Sequence, residues 1–339
     1  MERVLIYEPQ HTGHHLPYLA RMLPGLLSLP IEVTLATTRA TVASEQFAAE
    51  LGALRSRLRI IDDCRVPKKG RPVRYALGAL WELRRLMRRE RPDHVIIMYG
   101  DALWIVQSAL HLATGGLIGG PMRGVSSEII LYRGGFAYPD APGRGARVKR
   151  WLFAHALRAG LHDRWHLDDE IMHDFAVRSL SGCEDARARS AVLPPNPVRI
   201  EGDADAASAR AELGLPSGPR IISLTGAIAG YKGADLLVRA FAAHHDAEGE
   251  ARARDDVLVL AGPHEQEVRD ALAEPRARRL VDDGHIISID RFLSAHEMFA
   301  FAAASNVVAA PYPNHSGRSS IILWAAAAGR PVLASARGT

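Results

Sequence analysis

Short apolar runs alternate with longer amphipathic stretches from one end of the chain to the other. Arg3 to Tyr7, Ile31 to Ala36, Leu58 to Ile61 and His94 to Met98 are too short for helices and read as buried strands. Helical periodicity fills the gaps between them. Leu16 to Leu29 is one such stretch and the region around Val42 to Leu51 another. In Tyr75 to Glu90, Leu77, Leu80, Leu83 and Met87 share a face while Arg84, Arg85, Arg88 and Arg89 lie elsewhere, and Pro92 stops the helix. The same reading puts a fifth strand from Leu117 to about Met122, a helix over Ala146 to Ala159 and a sixth strand near Leu161 to His166. Strand and helix alternating through short connections imply parallel strands, right-handed crossovers and a doubly wound sheet.

The segment Leu193 to Val198, with Pro194, Pro195 and Pro197, continues neither a helix nor a central strand. It divides the chain into an N-terminal domain of residues 1–193, a linker of 194–198 and a C-terminal domain of 199–339. Strands at Arg220 to Thr225, Val257 to Ala261, Ile286 to Ile289, Val307 to Ala310 and Val332 to Ala334, each but the last with a helix after it, repeat the pattern in the second half. The expected fold is α/β, with two Rossmann-like doubly wound parallel-sheet domains facing a cleft. In such sheets ligands gather at the carboxyl ends of the strands.

Two turns in the second half suit an anion. After the strand ending at Thr225, the stretch Gly226 to Gly233 contains Gly230 and Lys232 and leads into a helix. After Ala310, the loop from Pro311 carries Ser316, Gly317, Arg318, Ser319 and Ser320 into an apolar helix that includes Trp324. Glycine lets the backbone come close, and the unpaired N–H groups of a helix start attract phosphate. Lys232 adds an ammonium. Two such turns in one domain suggest a diphosphate, whereas the plain alternative is an ordinary loop capped by Ser319.

Composition narrows the partners. The 339 residues carry 42 Lys and Arg against 38 Asp and Glu, a net charge of +4, which suits an anionic small molecule and falls short of the dense basic face of a nucleic-acid binder. Cys64 and Cys183 lie far apart without metal-ligand neighbours and read as free thiols of a reducing compartment. There is no apolar run near the roughly 20 residues of a membrane span, no CxxC, no HExxH and no Asp-x-Asp in a loop setting that would hold a metal. The expectation is a cytoplasmic protein without metal or cofactor.

The wording GAIAGYKGADLLVRAF and AAAAGRPVLAS, with the interdomain LPPNPV and the N-terminal glycine turn, resembles the donor-binding half of retaining GT-B glycosyltransferases of the bacterial group 1, or family 4, kind. The resemblance implies a nucleoside diphosphate sugar as donor, commonly UDP- or GDP-linked, and metal-free transfer. It also implies an arginine and a lysine on the phosphates and two glutamates, eight positions apart, on the sugar and the ribose. Lys232 matches the lysine. Ala227 stands at the arginine position, and Ser316 and Trp324 at the glutamate positions, so the motif is degenerate; Arg318 is the candidate to replace the missing arginine. The family adds a further βα unit and a terminal crossover helix beyond the point corresponding to Val332 to Ala334.

In the N-terminal domain the candidates are Gly13 and His14 in the turn after the first strand, Asp101 after the fourth and Arg123 after the fifth. A neutral imidazole bonds sugar hydroxyls, a carboxylate holds hydroxyls, and an arginine at a strand end pairs an anionic acceptor or a phosphate. The plain alternatives are capping by the His14–His15 pair and Asp101, and a salt bridge from Arg123 to Glu128 or Asp101. The acceptor, whether glycan, lipid or small molecule, is not encoded. The basic helices Tyr75 to Arg91 and Ala146 to Ala159, the latter with Trp151 and Phe153, are expected to cover the sheet, with peripheral contact to the inner face of an anionic membrane as the alternative. The competing functional reading is a non-catalytic nucleotide-sugar-binding or scaffold protein on the same fold.

Overall fold

A computed structural model describes residues 1–10, 15–67, 72–119, 124–132, 134–138, 141, 143–181, 189–194, 205–247, 256–313 and 317–336. The chain forms two compact units, residues 1–197 and 198–338.

The first unit holds a seven-stranded sheet of β1 (Glu2–Tyr7), β2 (Ile31–Ala36), β3 (Arg59–Ile61), β4 (His94–Ile97), β5 (Ser126–Leu131), β6 (Arg164–Leu167) and β7 (Ser190–Val192). Their order is β3-β2-β1-β4-β5-β6-β7 and every described pairing is parallel. One face is covered by α1 (His15–Leu26), α2 (Arg39–Val42) and α3 (Glu45–Leu51), where Leu16, Leu19, Leu23, Phe47 and Leu51 pack on Val4, Ile6, Val33 and Leu35. The other carries α4 (Pro72–Glu90), α5 (Trp104–Ala113), α6 (Gly143–Arg158) and α7 (Glu170–Ser179), with Leu83, Trp104, Phe153 and Met172 in one core. Successive strand residues point to opposite faces, so β1 feeds both cores: Val4 and Ile6 one, Leu5 and Tyr7 the other.

One expectation is corrected here and one strand is added. The fifth strand forms over Ser126–Leu131, not at 117–122; Leu117 is 88% exposed in the turn after α5. The glycines at 115, 116 and 119 adopt positive φ and break the chain there, and the apolar run that pairs with β4 comes later. β7 was not anticipated, being only Ser-Ala-Val. Phe153 is fully buried, whereas Trp151 is 60% exposed.

The second unit holds a five-stranded parallel sheet of β8 (Arg220–Thr225), β9 (Asp256–Ala261), β10 (Ile286–Ile289), β11 (Val307–Ala310) and β12 (Val332–Ala334), ordered β10-β9-β8-β11-β12. Helices α8 (Ala206–Leu213), α9 (Ala234–Ala247), α10 (Gln266–Ala273), α11 (Pro275–Asp282), α12 (Ala295–Ala304) and α13 (Ser320–Ala327) surround it. β9 is buried along its whole length, which explains its unbroken run Val257 to Ala261. Caps set the helix starts: Asp205 accepts from the Ser208 N–H, and Ser294 and Glu297 form a reciprocal capping box.

Both sheets reverse direction at one place. In the first, winding goes outward from β1 to β3 and then restarts at β4; in the second, from β8 to β10 and then at β11. The loops after β1 and β4, and those after β8 and β11, therefore diverge from adjacent strands and leave a crevice at each switch point.

Candidate functional site

In the second unit the switch point brings together the two glycine turns singled out in the sequence. β8 is followed by Gly226, whose φ is +87°. The turn is stitched to the one after β9: Ile228 N–H donates to Pro263 and Glu265 N–H to Ile228. Gly262 crosses so near that a Cβ there would overlap the Gly226 carbonyl oxygen. After the 3-10 turn Gly230–Lys232, Gly233 takes a left-handed conformation, φ +74°, and starts α9. A Cβ on Gly233 would sit 2.8 Å from the Pro311 carbonyl oxygen and 3.0 Å from Pro313 Cδ, in the loop after β11. The two turns are therefore in direct contact.

Lys232 lies on that contact. Its Nζ is 5.8 Å from the ring centroid of Tyr312 and 6.0 Å from that of Tyr231, and would stand 3.9 Å from a Cβ placed on Gly226. The ring faces attract the cation but do not neutralise it. Among the described residues Lys232 has no ion pair or hydrogen bond. Burial holds its pKa below the usual lysine value, opposed by the charge of Glu265. A half-buried ammonium in this state gains from any anion that enters.

The start of α13 completes the arrangement. Gly317 is buried with φ +90°. Ser319 occupies the N-cap position but makes no capping bond; its hydroxyl pairs with Tyr312 Oη at 2.9 Å. Ser319 therefore does not cap α13 with its side chain, and the Ile322 N–H turns to the Ser319 carbonyl oxygen at 3.3 Å. Ser320 opens the helix and Arg318 is half-buried beside it. Trp324, taken from the sequence as a donor contact, belongs to the core with 8% exposure: on the second turn of a helix with apolar residues all round, an indole buries its ring in the sheet. Gly230 proves less constrained than expected, since a Cβ there meets side-chain ends alone, the Glu267 carboxylate and Asp235 Oδ1. Ser316 lies outside the described residues.

Sequence reasoning missed Tyr312, Tyr231 and Gly262. Gly262 had a signal, a glycine straight after a fully buried strand, which marks a close backbone approach. The tyrosines had none.

In the first unit the switch point holds a cavity of about 560 Å³. Tyr75, Tyr99, Trp104 and Phe136 supply aromatic walls, with Asp101 and Lys149 as the charged groups among its described lining. Gln10 donates from Nε2 to Tyr75 Oη at 3.0 Å, and burial pushes the Tyr75 phenol up to about 12. Asp101 is no helix cap; Oδ2 accepts the Tyr132 N–H at 3.1 Å and so ties the β4 turn to the end of β5. Behind this wall Glu8 is fully buried, with Oε2 2.9 Å from His15 Nδ1, and the His15 ring packs edge-on against Tyr99 and Tyr132.

Gly13, His14 and Arg123 lie outside the described residues. β5 begins downstream of Arg123, at Ser126, so Arg123 does not follow the fifth strand; Glu128, its suggested partner, pairs with His166 at 2.6 Å. No cluster of three or more metal-ligating side chains occurs among the described residues.

Two doubly wound parallel sheets, of seven and five strands, define a GT-B-like α/β protein. Anabaena HepE, crystallised with UDP and glucose, superposes with a TM-score of 0.64 at 14% identity, over 100% of this chain and 82% of that one, which shows the common fold. The D-inositol 3-phosphate glycosyltransferase of Streptomyces coelicolor is 38% identical over 137 residues, 39% of this chain and 29% of the relative. Its counterpart from Saccharomonospora viridis is 32% identical over 182 residues, 52% and 40% of the two chains. The matches thus span less than half the length of these curated relatives. No family model matches the chain. The chain is a GT-B-fold protein similar to the group 1 glycosyltransferases, as its turn sequences imply.

Proposed function

We propose that the protein transfers a sugar from a nucleoside diphosphate sugar to an acceptor, with retention at the anomeric carbon and without a metal. The observation that carries the reading is Lys232, an ammonium with no ion pair or hydrogen bond among the described residues, held where two glycine-bearing helix starts touch at the switch point of the second sheet. The diphosphate lies against Gly226, Lys232 and the start of α13. As the bond from the anomeric carbon to the phosphate oxygen breaks, negative charge grows on the leaving diphosphate, and the ammonium and the aligned N–H groups stabilise it without reorganising. The acceptor occupies the cavity of the first unit, where aromatic walls stack on a ring or chain and Asp101 accepts hydroxyl hydrogens. HepE, of the same fold, is crystallised with UDP, which makes uridine nucleotides the first donors to try.

Calorimetric titration with UDP, GDP and their sugars tests the donor site. Binding that Lys232→Ala weakens by about tenfold or more supports it, at the strength of a charge-assisted hydrogen bond. Unchanged affinity rejects it.

One observation favours the second reading, a nucleotide-sugar-binding protein without turnover: Ser316 and Trp324 stand where the resemblance implies carboxylates. A donor that binds and is neither hydrolysed nor transferred to any acceptor selects that reading.

A further inference from the structure

The side of α6 turned away from the core is largely exposed. Leu152, Phe153, Ala156 and Leu157 face the core and are buried, while Arg144, Arg147, Val148 and Trp151 are exposed and fall on the opposite stripe at helical spacing. Val148 is 54% and Trp151 60% exposed. The helix contains Arg144, Arg147, Lys149, Arg150 and Arg158 and no acidic residue. Arg150 is used internally, donating to the Phe136 and Tyr138 carbonyls, and Arg158 donates to that of Ser179. Arg144 and Arg147 have no ion-pair partner among the described residues.

The patch continues onto α5. His155, on the same stripe as Trp151 and stacked with it, bonds His111 of α5 at 2.9 Å between ring nitrogens. The turn after α5 folds back on His111, with the Gly116 Cβ direction 3.3 Å from Nε2, and ends in exposed Leu117. Like α6, α5 has no Asp or Glu. Val148 and the Trp151 indole, flanked by Arg144 and Arg147 on a helix without acidic residues, match the chemistry of an interfacial bilayer surface, where the indole sits at headgroup depth and the guanidinium groups meet lipid phosphates.

We infer that the exposed stripe of α6 docks the protein on an anionic membrane surface. No helix among the described residues is long and apolar enough to cross a membrane, so the contact is one that lies on the bilayer. The same helix walls the first unit's cavity through Lys149. Docking by itself does not depend on the glycosyl-transfer reading.

The test is co-sedimentation of the full chain with phosphatidylcholine vesicles, with and without phosphatidylglycerol. Binding only to the anionic vesicles, weakened by raised salt and by about tenfold for each of Arg144→Glu and Arg147→Glu, supports the inference. Trp151→Ala is expected to weaken binding further. Thermal melts matching the parent show that each variant folds. Lys232→Ala retains vesicle binding, which separates this surface from the donor site. Absence of binding to anionic vesicles at low salt overturns the inference, as does binding indifferent to the three substitutions. A dimer in sedimentation velocity that Trp151→Ala dissolves also overturns it, since a second copy would then be what covers the stripe.

Discussion

The ammonium of Lys232 lies 5.8 Å from the ring centroid of Tyr312, and the Tyr312 hydroxyl in turn holds Ser319 at the start of α13. One aromatic residue thus joins the cation of the β8 turn to the helix start after β11. It also occupies the serine that would otherwise cap that helix.

Lys232→Met should weaken UDP binding by about tenfold or more, yet raise the midpoint of thermal unfolding slightly, by about 2 °C, because the desolvated charge is removed without loss of volume. Burial lowers the folded-state pKa, so the charged form costs the empty protein stability below that pKa, and the cost fades as pH rises through it toward the unfolded value. Diphosphate affinity runs the other way, falling as the ammonium is lost. Calorimetry in buffers of differing ionisation enthalpy should show proton uptake on binding in the alkaline range.

Gly262→Ala should cost about 3 kcal/mol or more, since the new methyl group overlaps the Gly226 carbonyl and φ is +138°. Gly230→Ala, whose methyl group meets only the side-chain ends of Glu267 and Asp235, should cost under about 1 kcal/mol and leave UDP affinity intact. Denaturant midpoints of the two variants decide the comparison.

His162 is buried between Ser127 Oγ, 3.1 Å from Nδ1, and Gln107 Oε1, 3.0 Å from Nε2, and burial lowers its pKa to about 4. The unfolded chain takes up this proton below about 6.5 while the folded one resists it. Stability is therefore lost as pH falls from about 6.5 to about 4, by ~3 kcal/mol in all, and the loss levels off below that. His162→Gln, once corrected for its own destabilisation at pH 8, should flatten this acid slope in urea titrations.

Ala102→Trp should fill part of the first unit's cavity and abolish transfer to the acceptor while UDP affinity stays unchanged. Product formation measured beside calorimetry separates the two; transfer that survives removes the cavity from the acceptor's path.

The alternation of short apolar runs with amphipathic helices implies two parallel doubly wound sheets, because burial on both sides makes β9 apolar throughout Val257 to Ala261 and gives a surface helix such as α4 one apolar stripe. Where local signals were weak the reading slipped. Leu117 to Met122 is as apolar as a strand, but its positive-φ glycines make it a turn, and β7 is too short to announce itself. Gly226, Lys232 and Gly317 were legible as phosphate-friendly residues from their place between strand and helix. What the chain order does not encode is which side chains meet across two loops some 80 residues apart. That Tyr312 lies beside Lys232, that Ser319 bonds a phenol instead of capping, and that Trp324 turns into the core depend on strand order and helix phase. Those are decided by how the whole sheet packs, since a contact between distant turns exists only once β8 and β11 are paired.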